Sequence, residues 1–198
     1  MIDMNFYEKK YNKYKNIAGI DEVGRGPLAG PVVSCAVILP YDFDVPVRDS
    51  KKLTEKKRLE FYEKILERAS AVSLGIIDSK KIDEINILEA TKLSMINAIK
   101  NLEVSPDFLL IDALSLKVDI PQVAIIGGDD KSISIAAASI VAKVTRDEIM
   151  REYDKTYPDY GFAKHKGYGT KQHREAILEH GTCQIHRISF LSKILNRQ

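Results

Sequence analysis

Two short runs rich in β-branched residues, 17–23 and 32–39, flank a glycine–proline turn and predict a pair of adjacent strands. Beyond a proline-containing loop, Thr54 is placed to cap a helix that opens on Glu55 and runs to about Ala69. Residues 70–77 predict a third strand. Asp78 or Ser79 then starts a helix through Asn101, with Ile85, Leu88, Met95, Ile96 and Ile99 on one face and Lys92 interrupting it. Phe108–Ala113 is a continuous apolar run ending in an acid, as expected of a central strand covered on both faces, and Val123–Ile126 repeats that design. Ser132 to about Tyr153 predicts a long helix, whose Ala136-Ala137-Ala138-Ser139 stretch permits close packing on a sheet. Two short helices are expected near 170–180 and 188–196. There is no internal repeat. The alternation defines an α/β fold with a mixed sheet.

Composition narrows the class. The 198 residues suit one domain with a small appended lobe, and 44% hydrophobic residues allow a substantial core. The first ten residues lack the apolar core of a signal peptide, and no segment has the length of a membrane span, so a cytoplasmic protein is expected. Cys35 and Cys183 form no disulfide framework. The net charge of +2 is uninformative, but from residue 143 onward eleven Lys/Arg face seven Asp/Glu and all four histidines are found. An acidic centre beside a basic tail fits a metal site next to a polyanion grip.

The candidate chemistry lies at strand ends. Asp21 and Glu22, Asp112, and Asp129 with Asp130 each close an apolar run. If the first, fourth and fifth strands are neighbours, these acids converge beyond the sheet. Because adjacent strand residues point to opposite faces, Asp21 and Glu22 can share a site only if the strand ends, bulges or twists there. Oxygen ligands without paired Cys or His favour Mg²⁺ or Mn²⁺ over zinc, and two such ions support in-line hydrolysis of a phosphodiester. The turn from Gly24 to Gly30, with Arg25 inside it, permits close approach of backbone to a phosphate. Its spacing and Pro27 are wrong for a dinucleotide loop. His173, His180, Cys183 and His186 match no common zinc-finger spacing and are expected in surface or nucleic-acid-facing roles.

Several blocks taken together resemble the ribonuclease HII family, the bacterial type 2 ribonucleases H. They are 19–31 (Gly-Ile-Asp-Glu-Val-Gly-Arg-Gly-Pro-Leu-Ala-Gly-Pro), 49–53, 111–113, Gly128-Asp129, 137–147, 165–170 and 186–190. Arginine at position 25, where the sister type HIII has threonine, favours HII. The resemblance implies an RNase H-like, mixed five-stranded sheet flanked by helices over 1–155. A small helical C-terminal extension over 156–198 would contribute to nucleic-acid binding. It implies cleavage of the RNA strand of RNA–DNA hybrids and nicking 5′ to single ribonucleotides in duplex DNA, leaving 3′-hydroxyl and 5′-phosphate ends, by a monomer using Mn²⁺ or Mg²⁺. The family's four metal-binding acids fall on Asp21, Glu22, Asp112 and Asp129, with Asp130 and Asp147 as alternatives for the fourth. Gly24, Arg25 and Gly26 would read the ribose 2′-hydroxyl and flanking phosphates, and Tyr168 would stack on the next sugar. Lys51, Lys52, Lys143, Arg146 and Lys166 are candidate phosphate contacts. The competing readings are a junction-resolvase-like nuclease and a non-catalytic binding module.

Overall fold

The computed structural model describes residues 3–47 and 53–195. After a short helix α1 (Phe6–Lys10), strands β1 (Ile17–Val23) and β2 (Val32–Ile38) are followed by α2 (Glu55–Arg68), β3 (Ala71–Ile77) and α3 (Ser79–Lys100). Strands β4 (Phe108–Asp112) and β5 (Gln122–Ile125) then lead to the long helix α4 (Ile133–Thr156). The short helices α5 (Phe162–His165), α6 (Lys171–His180) and α7 (Ser192–Leu195) complete the described chain. Thr54, Asp78 and Ser132 cap α2, α3 and α4, each side chain accepting a backbone N–H three residues on.

The strand order is β3-β2-β1-β4-β5. The first three strands pair antiparallel, while β4 and β5 run parallel to β1. Helices α2 and α4 cover one face through Val33, Cys35, Val37, Ile65, Ala137 and Val141. Helix α3 covers the other, packing Met95, Ala98 and Ile99 on Ala18, Ile20, Leu109 and Ile111. Alternation along β1 therefore sends odd positions toward α4 and even positions toward α3. At Gly19 a Cβ would lie 2.1 Å from the backbone carbon of Ser134. Glycine here and alanines in α4 bring helix and strand into direct backbone contact.

Two expectations are corrected. Helix α3 is kinked at Asn86 (φ 66°, ψ 165°), whose side-chain oxygen accepts the amides of Leu88 and Glu89 at 2.9 and 3.1 Å. It thus caps a restarted helix and resets the phase, so Leu88 turns outward at 39% exposure while Met95 and Ile99 stay buried. A single uninterrupted helical wheel misplaces it. Strand β5 is an edge rather than a central strand. Only Ile125 in it is buried, and Ile126, just past its end, is 80% exposed.

The residues after α4 build a helical lobe around Tyr160, Phe162, Ile177 and Leu191, a core that also takes Ala29 and Met150. Backbone bonds stitch the lobe to the glycine turn: Leu28 N–H to Gly167 O, Gly30 N–H to Ile185 O and Arg187 N–H to Leu28 O, all 2.8 Å.

Candidate active site

Strand β1 delivers two carboxylates to the sheet end, and the way it does so resolves the opposite-faces problem. There is no bulge, since the β1–β2 register continues one for one through Asp21–Cys35, Glu22–Ser34 and Val23–Val33. On the other side, however, the β1–β4 ladder stops at Ile20–Ile111. Asp21 and Asp112 lie on the α4 face. Glu22 starts on the α3 face and reaches round the open edge left where β4 diverges. Ligand oxygens of Asp21, Glu22 and Asp112 consequently fall within 4.8 Å of one another.

The protein holds these groups from behind. Asp21 Oδ1 accepts the Glu22 amide at 2.7 Å, and the Ser139 hydroxyl of α4 bonds to the same carboxylate. Asp112 Oδ1 accepts the Gly128 amide at 2.7 Å. Burial drives the Asp21 pKa well above the usual carboxylate range, and repulsion from Glu22 and Asp112 adds to it. Glu22 is raised by burial too and by Asp112, against the opposing pull of Arg25. Its Oε2 is buried without a hydrogen-bond partner. Three crowded carboxylates, one with an orphaned oxygen, fit a hard divalent cation. Such an ion would relieve both repulsion and desolvation.

Asp129 is buried in the single 3₁₀ turn Gly128–Asp130, directly after the amide that anchors Asp112, but lies outside the group of three. Asp130 is half-buried. The Asp147 carboxylate is held by Lys143 Nζ at 2.5 and 2.7 Å, so that lysine and that acid neutralise one another on α4.

Beside the acids lies the turn. Gly24 has φ +95°, in the region that favours glycine, and a Cβ there would lie 2.2 Å from Arg146 Nε. A Cβ on Gly26 would sit 3.9 Å from the Tyr168 ring, so the tyrosine faces the turn, with 44% of its surface exposed. Arg25 Nη1 is 3.5 Å from Glu22 Oε1. Lys166 donates its Nζ to Ala163 O and is half-buried. Lys51 and Lys52 lie outside the described residues.

Arg146 is a correction. It has no exposed surface, and its guanidinium is engaged by the carbonyls of Pro31, Lys166 and Ala29, so it makes no direct contact with a phosphate. Arg187, which lies in the 186–190 block but had no role assigned from sequence, is equally buried, and it holds the carbonyls of Gly24, Arg25 and Gly30.

His173 and His186 are also corrected. His165, His173 and His186 are buried, and only His180 among the four is exposed. Cys183 N–H donates to His186 Nδ1 at 2.9 Å, His186 and His173 share a bond between Nε2 atoms at 3.1 Å, and His173 Nδ1 bonds Tyr168 O at 2.9 Å. Neutral tautomers satisfy every link, with His186 Nε2–H donating to His173 and His173 Nδ1–H donating to Tyr168. Protonating His173 would set two N–H groups against each other. Burial depresses its pKa to about 4. Because this folded-state value lies below the unfolded one, the contribution to stability is complete above pH 6.5 and is lost as pH falls toward 4. An NMR titration is expected to find the His173 ring neutral down to about pH 4; a midpoint near 6.5 would contradict the chain of bonds.

An RNase H-like mixed sheet with clustered strand-end carboxylates, next to a glycine turn and an aromatic, defines a metal-using phosphodiesterase. Residues 18–193 match the family model described as Ribonuclease HII. The chain is 57% identical over 192 residues to a Ribonuclease HII of Bacillus cytotoxicus, covering 96% of this chain and 74% of that protein. It is 58% identical over 198 residues to one from Acetivibrio thermocellus, covering 98% and 77%. Among solved structures, the ribonuclease H2 from Pyrococcus horikoshii OT3 superposes with a TM-score of 0.77 at 27% identity, over 92% of this chain and 98% of that one. The chain belongs to the ribonuclease HII family. It is a ribonuclease H, and its reaction is cleavage of the RNA strand of RNA–DNA hybrids. Among the described residues no helix is long and apolar enough to cross a membrane.

Proposed function

We propose that this enzyme also nicks duplex DNA 5′ to a single embedded ribonucleotide, leaving 3′-hydroxyl and 5′-phosphate ends, and that it acts as a cytoplasmic monomer. The observation that carries the reading is that the Tyr168 ring faces the turn, 3.9 Å from where a Cβ on Gly26 would sit, beside the grouped oxygens of Asp21, Glu22 and Asp112. It sets a ribose-sized sensor next to the acids. Asp21, Glu22 and Asp112 would hold Mg²⁺ or Mn²⁺, with Asp129 joining them as the fourth acid. Bound there, a pair of divalent ions supplies Lewis-acid stabilisation to an in-line displacement at phosphorus.

The protein's own part is positioning. Backbone groups of Gly24, Arg25 and Gly26 meet the 2′-hydroxyl, which alone separates RNA from DNA at this step, and the flanking phosphate. The Tyr168 ring stacks on the sugar of the following nucleotide. Lys166 adds positive potential for the substrate phosphates, Lys51 and Lys52 stay candidates by sequence, and Lys143 contributes only if it leaves Asp147 for a phosphate. The helical extension 156–198 contributes Tyr168 and so takes part in nucleic-acid binding.

The test is a labelled DNA duplex with one internal ribonucleotide beside an all-DNA duplex of the same sequence, each incubated with Mg²⁺ or Mn²⁺. A nick only 5′ to the ribonucleotide is expected; equal cutting of the all-DNA duplex would favour a resolvase-like nuclease instead. In the same assay Tyr168→Phe should remain near wild type, because stacking uses the ring face. Tyr168→Ala should lose about tenfold or more, the scale of one stacking contact.

A further inference from the structure

Arg146 and Arg187 are the two largest side chains with essentially no exposed surface, and both are spent on one loop. Arg187 reaches it from the C-terminal lobe. Its Nε donates to Gly30 O at 3.0 Å, Nη1 to Arg25 O at 3.0 Å, and Nη2 to Gly24 O at 2.6 Å and Gly30 O at 2.8 Å. Arg146 comes from α4. Its Nε donates to Pro31 O at 2.9 Å, Nη2 to Ala29 O at 3.2 Å, and Nη1 to Lys166 O at 2.9 Å, two residues before Tyr168. The acids that influence them are engaged elsewhere: Asp147 with Lys143, and Asp83 with the amides of Ile188 and Ser189.

Two consequences follow from elementary geometry and charge. In a planar trans peptide the carbonyl and the next amide point in opposite directions. With the carbonyls of Gly24 and Arg25 drawn inward to Arg187, the amides of Arg25 and Gly26 point outward. Successive outward amides form an anion-binding concavity. Behind them sit two guanidiniums held by carbonyl dipoles and aromatic faces, Arg146 lying 6.0 Å from the Tyr168 ring centre and Arg187 5.2 Å from that of Phe190, with no carboxylate hydrogen-bonded to either. Burial lowers both pKa values, Arg187 to about 9 with repulsion from Arg146 contributing, and Arg146 to about 10, so both keep their charge at neutral pH. Neighbouring buried like charges cost stability. An anion arriving at the outer side of the loop recovers part of that cost.

We propose that Arg146 and Arg187 are positioning residues for substrate: they set the loop with its amides outward, fix its distance from Tyr168, and supply a buried positive pair that a substrate phosphate neutralises. This rests on the reading that the loop meets the nucleic acid, and goes beyond it by assigning the device that shapes and charges the loop.

Three measurements test it. Arg187→Lys keeps the charge but replaces a planar fork spanning three carbonyls with a point donor. Its KM on the single-ribonucleotide duplex is expected to rise about tenfold with kcat within about twofold, the signature of lost binding shared by ground and transition states. Leu191→Ala, a cavity in the core of the same lobe, serves as the stability control and should leave KM unchanged at temperatures where both variants are folded. If the two variants move KM alike, the arginine's role is structural and the proposal falls. Independently, NMR titration of the wild-type protein with inorganic phosphate at constant ionic strength should shift the amides of Arg25 and Gly26 saturably. If those amides stay still, the proposal falls whatever the variants do. Wild-type enzyme that fails to cut the ribonucleotide-bearing duplex would instead sink the functional reading, leaving the phosphate response as a separate result.

Discussion

Asp112→Asn is expected to abolish cleavage with either Mg²⁺ or Mn²⁺ while leaving the protein folded and slightly more heat-stable without divalent ions. The activity loss should be on the order of a thousandfold or more, since the substitution removes a charge from the carboxylate group that would hold the ions. The fold should survive because the asparagine side-chain oxygen can still accept the Gly128 amide. The gain in stability follows from the repulsion already described: Asp112 raises the pKa of both Asp21 and Glu22, so neutralising it relieves the buried pair. A relief of about 1 kcal/mol corresponds to a melting point about 2–4 °C higher in a chain of this size. Mn²⁺ should raise the wild-type melting temperature by mass action, and that increment should largely vanish in the variant. A variant that cuts normally, or that melts well below wild type without metal, would contradict the assignment.

Gly24→Ala should be the most damaging single methyl group in the turn. Its backbone conformation is unfavourable for alanine, and the added carbon would lie 2.2 Å from Arg146 Nε and 2.7 Å from Pro31 O. Arg146 cannot swing away, because its guanidinium is tied to three carbonyls and has no solvent route. Strain and overpacking together suggest a loss of about 2–4 kcal/mol. Urea unfolding should show that loss. At temperatures where the variant stays folded, cleavage at a single ribonucleotide should fall by at least about tenfold, since a displaced Arg146 moves both turn and Tyr168. Gly127→Ala is the informative contrast: it too has a positive φ, but nothing lies within 4 Å of the added carbon. It should cost only the backbone strain.

The sheet and the acids were legible in the sequence because their signals are local. The β-branched runs at 17–23 and 32–39, and the apolar run closing on Asp112, needed no tertiary knowledge, and the strands fall at Ile17–Val23, Val32–Ile38 and Phe108–Asp112. The neighbour relation among β1, β4 and β5 was needed as an assumption, and the parallel ladders supply it. What stayed hidden depends on contacts between distant segments. Arg146 and Arg187 look like solvated charges until the fold surrounds them with carbonyls. Buried His173 and His186 read as surface residues because each ring finds its partner only in the tertiary lobe. The kink at Asn86 escaped because asparagine inside an otherwise helical run carries a weak signal, decided by its cap to Leu88 and Glu89. Glu22 reaching round the strand edge depends on where β4 leaves the ladder, which no periodicity encodes.

The bonds from Arg187 to Gly24 and Gly30 join positions 163 and 157 residues apart. A growing polypeptide on the ribosome can pair β1 with β2 early, yet the loop between them cannot take its final shape until Arg187 has left the exit tunnel. Nascent and prematurely terminated chains would then carry the acids on a folded sheet without the loop that presents nucleic acid to them. The emergence of the segment around Arg187 is thus a condition for presenting nucleic acid to the acids.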